Sequence, residues 1–138
     1  AGLSARLLER NLDMDTLNAR MSEGLYRTSK ERREDPTLEF LYRSAGPVWY
    51  RGMVCTDEKY DPLTPEQTDA LLRRYDADRL LIGHTIFPDI STFHDGRVIA
   101  VNVQNERNRR KNRGRAVLIE GSRISVVGNR GVKRVLEE

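Results

Sequence analysis

The side chains best suited to chemistry stand in three short segments of this 138-residue chain. The first is residues 80–85, in which an apolar run ends at Gly83 and His84 comes next. Glycine permits a sharp exit from a strand, and α/β folds bind ligands at the carboxyl ends of strands, so His84 can present a ring nitrogen to a metal ion. For a lone histidine in this position, a structural, hydrogen-bonded role is the commoner outcome.

The second segment, residues 46–52, contains Arg51 beside Trp49 and Tyr50. A guanidinium pairs bidentately with phosphate oxygens, so Arg51 is a candidate for binding a substrate phosphate. The competing interpretation is an arginine that packs on one of the two aromatic rings by a cation–π contact. Trp49 and Tyr50 are predicted to form a wall of the site or part of the core.

The third segment, residues 107–115, concentrates six cations in nine residues: Arg107, Arg109, Arg110, Lys111, Arg113 and Arg115. Three interpretations stay open. In the first, the segment is a solvated loop between strands. In the second, its cations steer an anionic substrate towards a cleft, and Arg109, Arg110 and Lys111 are the candidates. The third, nucleic-acid binding, is disfavoured because no aromatic residues interleave the cations and no known nucleic-acid-binding signature is present.

Two other reactive residues are interpreted as structural. The single cysteine, Cys55, excludes an internal disulfide and a cysteine-based zinc site, and a small half-buried hydrophobe is its ordinary role. His94 stands beside an Asp-Gly turn and is predicted to be an exposed turn residue.

The first half of the chain is predicted to be mainly helical. Leucines 7, 8 and 12 indicate a short helical turn after Ser4, and the spacing of Leu17, Met21 and Leu25 predicts an amphipathic helix over residues 15–27. Residues 28–35 are almost wholly polar and are predicted to be an exposed loop. Asp35-Pro36 and the capping box at residues 64–67 predict the starts of two further helices.

Strands are expected to dominate the second half. The predicted strands lie at residues 79–85, 91–93, 97–103, 115–120 and 123–127, with tight turns at Asp95-Gly96 and Gly121-Ser122. We therefore predict an α/β (α+β) fold in which N-terminal helices precede a mostly antiparallel β meander. One domain is expected over residues 1–138. Residues 1–63 are predicted to be mainly helical, and residues 64–138 to contain a helix followed by strands. This order of elements is typical of half of a larger sandwich.

Bulk composition indicates an ordinary globular chain. The formal net charge is +3 with a pI of about 9.2, and the mean hydropathy is -0.66. No apolar run approaches the ~18 residues that a membrane span requires, so no membrane partner is expected. No signal peptide is visible, and the compartment stays unknown because the chain does not begin with Met.

Several segments taken together resemble the calcineurin-like metallophosphoesterases. Gly83-His84-Thr85 resembles the family's Gly-His-Thr element, and Gly46-Pro47-Val48-Trp49-Tyr50-Arg51-Gly52 resembles a segment of bacterial and Shewanella-like protein phosphatases. Residues 1–4 look like the sequence that follows a family histidine. Residues 93–99 and 116–119 resemble its later hairpin and closing strand.

This resemblance implies the C-terminal half of a calcineurin-like αββα sandwich and metal-dependent hydrolysis of a phosphomonoester or phosphoprotein. It implies two divalent metal ions (Mn, Fe or Zn) in an intact parent protein, with His84 as one ligand and Arg51 on the substrate phosphate. Most ligands would then lie in an N-terminal half that this chain lacks. The chain alone is therefore expected to be inactive, to bind no metal stably and to self-associate through exposed sheet edges.

A second hypothesis needs no metal. In it the chain is a binding module that holds a polyanion or a nucleic acid through the basic segment 107–115. This hypothesis accounts for the pI but not for the order of the family-like segments.

Overall fold

The computed structural model describes residues 2–137 and divides the chain into two compact units, Ala1–Asp78 and Arg79–Glu138, called unit 1 and unit 2 below. Each unit has its own helices or strands and its own buried residues, and each is described by itself. The predicted single domain over residues 1–138 stays a prediction.

Unit 1 is helical. A 3-10 turn at Ala5–Leu7 is followed by α1 (Met14–Leu25), α2 (Ser29–Glu34), α3 (Pro36–Tyr42), a second 3-10 turn at Glu58–Tyr60 and α4 (Pro65–Arg74). Side chains cap these helices as their sequences predict. Asp35 accepts hydrogen bonds from the amides of Thr37 and Leu38, and Thr64 forms a complete capping box with Gln67.

Helix α2 corrects the loop predicted over residues 28–35. The Thr28 side chain accepts a hydrogen bond from the Glu31 amide, and the Glu31 carboxylate accepts one from the Thr28 amide in return. This capping box starts a helix with no buried residue, so apolar periodicity gave no sign of it.

The core of unit 1 is built from aliphatic side chains of three helical segments and one loop. Leu7, Leu38, Leu41, Met53 and Leu71 are each at most 1% exposed. Burying such side chains supplies roughly 1.5–3 kcal/mol each relative to leaving them in water. The loop that follows α3 is therefore anchored at both ends, by Leu41 before it and by Met53 after it.

Unit 2 contains two three-stranded sheets. In the first, β1 (Leu80–Ile82) pairs in parallel with β3 (Val98–Ala100), which pairs antiparallel with β2 (Ser91–Phe93). In the second, β4 (Arg115–Glu120), β5 (Arg123–Gly128) and β6 (Gly131–Glu137) form an antiparallel meander. The predicted hairpins at Asp95-Gly96 and Gly121-Ser122 are present, whereas β6 was not predicted.

The basic segment is only partly a loop. Helix α5 (Asn105–Arg110) takes up its first part, a turn follows, and β4 begins at Arg115. Asn108 is the buried residue of this helix, so the arginines on either side of it face outwards. Helix α5 was not predicted because all six of its residues are charged or polar, which leaves it without an apolar face.

Mixed helix and strand content agrees with the predicted α/β class, but the calcineurin-like αββα sandwich is not supported. The two sheets of unit 2 share a core of Ile90, Ile99, Val103, Ile124 and Val126. Helices α1–α4 belong to unit 1, and α5 is the one α-helix described in unit 2. Unit 2 by itself therefore has no helical layers on both faces of its sheets.

Among residues 2–137, no helix combines the length and the apolar character that crossing a membrane requires.

Candidate functional site

Unit 1 contains an open cavity of about 830 Å³ beside the loop that follows α3. Its lining combines cations with aromatic rings and only one carboxylate. The cations are Arg6, Arg43, Arg51 and Lys59, and the carboxylate is Asp61. The aromatic residues are Tyr42, Trp49, Tyr50 and Tyr60.

Backbone contacts fix the loop that carries Arg51. A Cβ atom on Gly46 would overlap the carbonyl group of Leu41, so this position requires glycine for close approach to the end of α3. Ser4 donates a hydrogen bond from its hydroxyl to the Ala45 carbonyl at 2.7 Å, and the Gly2 amide donates one to Pro47 at 3.1 Å. These bonds bring the N-terminal segment, and with it Arg6, to the cavity.

Arg51 differs from the other three cations in its partners. Arg43 pairs with Glu39 at 2.7 Å, Lys59 pairs with Asp57 at 2.9 Å, and Arg6 lies 3.9 Å from Asp61. Among the side chains that the structure describes, those of residues 2–136, no carboxylate pairs with Arg51.

The Arg51 guanidinium carbon instead lies over the Tyr60 ring, 6.0 Å from its centroid. At this distance the cation–π contact is at its outer limit, and it occupies none of the guanidinium N–H groups. The sequence had offered Trp49 or Tyr50 as the stacking partner.

Tyr50 closes the floor of the cavity. It is 3% exposed and donates a hydrogen bond from its hydroxyl to the Asp61 carbonyl at 2.6 Å. Burial, and secondarily the charge of Asp61, raise the pKa of Tyr50 well above its usual range. The phenol therefore stays protonated at neutral pH and holds residue 61 rather than exchanging protons.

His84 lies in unit 2, on the segment that leaves β1. It is exposed and has a φ of 72°, a left-handed conformation that costs energy in a residue other than glycine. Its backbone amide donates to the Asn102 side chain at 3.3 Å. The neighbouring Thr85 hydroxyl is buried with no hydrogen-bond partner among the described residues.

The two-metal prediction is not supported. Within the described part of the chain, no group of three or more His, Cys, Asp or Glu side chains could hold a metal ion. A dinuclear site needs several carboxylate and imidazole ligands, and the residues around His84 do not fit one by themselves.

Arg109, Arg110 and Lys111 lie together at the end of α5 in unit 2. Arg110 pairs with Glu106 at 2.7 Å, and all three side chains are exposed. The structure thus places Arg51 in one unit and the other predicted site residues in the other.

Most of the cavity lining was not predictable from the sequence. No sequence motif singled out Arg6, Arg43, Lys59 or Tyr60. The one available signal was the pair of Lys59 and Tyr60 after Asp57, whose carboxylate accepts a hydrogen bond from the Lys59 amide and starts the 3-10 turn.

Comparison with solved structures finds cold-active protein tyrosine phosphatases. One such structure, from a psychrophilic Shewanella species, matches with a TM-score of 0.80 and 24% identity over 99% of this chain and 39% of its own. A second structure with the same description gives 0.79 and 23% over 98% of this chain and 38% of its own. A mutant form of the phosphatase matches with a TM-score of 0.80 and 24% identity.

These matches show a shared fold over less than half the length of the solved proteins. No protein-family model and no curated protein sequence matches the chain. The sequence-based assignment to the calcineurin-like metallophosphoesterases is corrected by this finding, because the matched structures are described as protein tyrosine phosphatases. Short elements such as Gly-His-Thr and Asp-Gly also meet general needs of strand exits and tight turns, so they identify a family poorly.

The comparisons do not support the specific expectation of a missing N-terminal half that holds metal ligands, and they give no support to nucleic-acid binding. Self-association stays a prediction.

Proposed function

We propose that this chain forms part of a phosphoester hydrolase and that the unit 1 cavity binds the phosphate group of its substrate. The observation that carries the proposal is Arg51, a half-buried guanidinium at a cavity and without a carboxylate partner among the described residues. A phosphoryl group carries its charge on several oxygens and needs such a fixed cation both for binding and for the charge that develops during transfer.

The rest of the cavity suits an aromatic phosphoester. Tyr42, Trp49 and Tyr60 line it, and the Trp49 side chain is 51% exposed. A phenyl phosphate could place its ring against these side chains while its phosphate reaches Arg51. The solved structures of similar fold are described as acting on protein tyrosine, which agrees with a phosphorylated protein as the substrate class.

The remaining predicted residues take secondary roles in this proposal. Steering of an anionic substrate by Arg109, Arg110 and Lys111 stays a prediction. His84 stays a predicted metal ligand that the described residues do not complete. Whether hydrolysis needs a metal ion is decided by measuring phosphate release with and without a chelator.

Binding of phosphotyrosine to the chain tests the role of Arg51 directly. We expect Arg51→Ala to weaken binding by roughly tenfold or more, because a charged hydrogen bond contributes about 1.5–3 kcal/mol. Arg51→Lys should recover only part of this loss, since a point charge cannot bind two oxygens in a fork.

Arg33→Ala is the matched control, because Arg33 is an exposed arginine of α2 that does not line the cavity. Its affinity for phosphotyrosine should stay at the level of the unmodified chain. Equal binding by the Arg51→Ala and Arg33→Ala chains would remove Arg51 from the site. Hydrolysis of a phosphotyrosine peptide, measured as released phosphate, tests the enzymatic part of the proposal separately.

A further inference from the structure

Two basic segments that are separate in the sequence meet in unit 2. One is residues 107–115 and the other is residues 130–134, which contain Arg130, Lys133 and Arg134. The Asn129 side chain donates a hydrogen bond to the Asn112 side chain, which ties the turn after α5 to the turn between β5 and β6. We call the cations of these two segments the composite basic surface.

Two glycines allow this approach. A Cβ atom on Gly114 would lie 2.6 Å from the Asn129 side-chain oxygen. On Gly128 it would lie 2.8 Å from the Lys133 side chain and 3.2 Å from that of Arg115. The side chains of Lys133 and Arg115 therefore both lie against the backbone of Gly128, and the two segments form one surface.

Few carboxylates neutralise this surface. Glu106 pairs with Arg110, and Asp89 pairs with Arg115 at 3.1 Å. Arg107, Arg109, Lys111 and Arg113 are exposed, and no carboxylate among the side chains described over residues 2–136 pairs with any of them. Four uncompensated cations on a segment of seven residues attract an anionic partner over about a Debye length.

A strand edge begins at the same surface. Strand β4 starts at Arg115 and is hydrogen-bonded to β5 on one side only in the described sheet, whose order is β4-β5-β6. Its four central residues, 116–119, carry no charge, although charged side chains usually protect such edges against pairing. Leu118 and Ile119 are 38% and 52% exposed.

From these observations we infer that unit 2 binds an extended acidic polypeptide segment, which pairs with the edge of β4 and contacts the composite basic surface. Main-chain hydrogen bonds to β4 would supply affinity, and acidic side chains would set the preference for the partner. This inference does not depend on the phosphate cavity of unit 1.

Other occupants fit the surface less well. Residues 104–138 contain no aromatic residue on which bases could stack, which disfavours a single-stranded nucleic acid. A second copy of the chain paired through β4 would bring only one carboxylate of that strand, Glu120, and so would leave most of the cations uncompensated. An anionic vesicle offers charge but no strand to pair with β4.

The test measures binding of fluorescent peptides to the chain by anisotropy. The probe is a peptide that alternates Glu and Thr, and a peptide that alternates Glu and Pro has the same charge but cannot form a strand ladder. We expect the Glu-Thr peptide to bind and the Glu-Pro peptide to bind at least about tenfold more weakly. Equal binding of the two peptides would overturn the pairing with β4.

Charge variants test the other half of the inference. Replacing Arg107, Arg109, Lys111 and Arg113 together by Gln should weaken Glu-Thr binding by about tenfold or more. The control replaces four exposed cations of unit 1, Lys30, Arg33, Arg73 and Arg74, by Gln and should leave binding within about twofold, because none of them belongs to the composite basic surface.

Three results would overturn the inference as a whole. The first is a lack of Glu-Thr binding by a chain whose circular dichroism shows it to be folded. The second is tighter binding of duplex DNA or of anionic phospholipid vesicles than of the Glu-Thr peptide. The third is that light scattering shows a dimer and that the peptide binds only after dilution has dissociated this dimer.

Discussion

Unit 1 and unit 2 carry the same number of cations and use them differently. Residues 1–78 contain 12 Lys and Arg against 15 Asp and Glu, whereas residues 79–138 contain 12 against six. The net acidic unit nevertheless holds the candidate phosphate cavity.

Several carboxylates of unit 1 are engaged in capping and pairing. Asp13 caps α1, Glu31 closes a capping box, and Asp35 both caps α3 and pairs with Arg20. Arg51 is left without such a partner. The comparison teaches that an anion site depends on which cations lack partners, and that the net charge of a region does not locate it.

The largest expected effect tests whether the two units have cores of similar strength despite their opposite charge. Leu71 in unit 1 is fully buried, and Ile99 in unit 2 is 1% exposed. Replacing either by Ala should lower the free energy of unfolding by about 2–5 kcal/mol through lost burial and a cavity. Trp49, the only tryptophan, reports urea unfolding of unit 1, and amide exchange in β3 reports unit 2. A loss below about 1 kcal/mol for either variant would show that its core can collapse around the change.

A smaller loss of stability is expected when the capping boxes of α4 and α2, both in unit 1, are removed. Thr64→Ala removes the capping box of α4, whose Leu71 and Leu72 are buried, and should cost about 0.5–2 kcal/mol. Thr28→Ala removes the corresponding box of α2, which buries no residue, and should cost less. Thr64→Ser, which keeps the hydroxyl, serves as the control. Equal losses on urea unfolding for the two alanine variants would mean that α2 matters to unit 1 as much as α4 does.

The smallest effect concerns pH and sharpens the account of the unit 1 carboxylates. The Arg20 side chain and the amides at the start of α3 lower the pKa of Asp35 below its ordinary value near 3.8. Because the pKa of Asp35 is lower in the folded chain than in the unfolded chain, its carboxylate stabilises the fold fully above pH 3.8. This stabilisation is lost as the pH falls through the folded-state pKa. The unmodified chain should therefore lose more stability than Asp35→Asn between neutral pH and the range below 3.8. Parallel pH profiles of the two proteins would contradict this role.

Much of the fold followed from local sequence. The Asp35-Pro36 start of α3, the capping box at Thr64 and the Asp95-Gly96 hairpin turn were each predicted from residues that meet their own backbone requirements. Helices α2 and α5 were missed because neither has an apolar face, and β6 was missed because its basic residues obscure the alternation of a strand.

Of the residues that line the cavity, the sequence singled out Arg51, together with Trp49 and Tyr50 as wall or core residues. The other cations of the cavity come from three separate segments that the fold brings together. The assignment to a metal-dependent family went wrong because it combined short motifs whose residues also serve turns and strand ends.

The sequence by itself determined where the capped helices begin, where the tight turns lie and which residues are cations, because these properties depend on neighbours along the chain. Only the tertiary structure decided which cations lack a carboxylate partner. Arg43 and Lys59 each form an ion pair with a carboxylate, and Arg51 does not. The composite basic surface depends on the contact of Asn129 with Asn112. Pairing of charges and approach of distant segments are properties of the folded chain, since they depend on distances in space that local sequence does not fix.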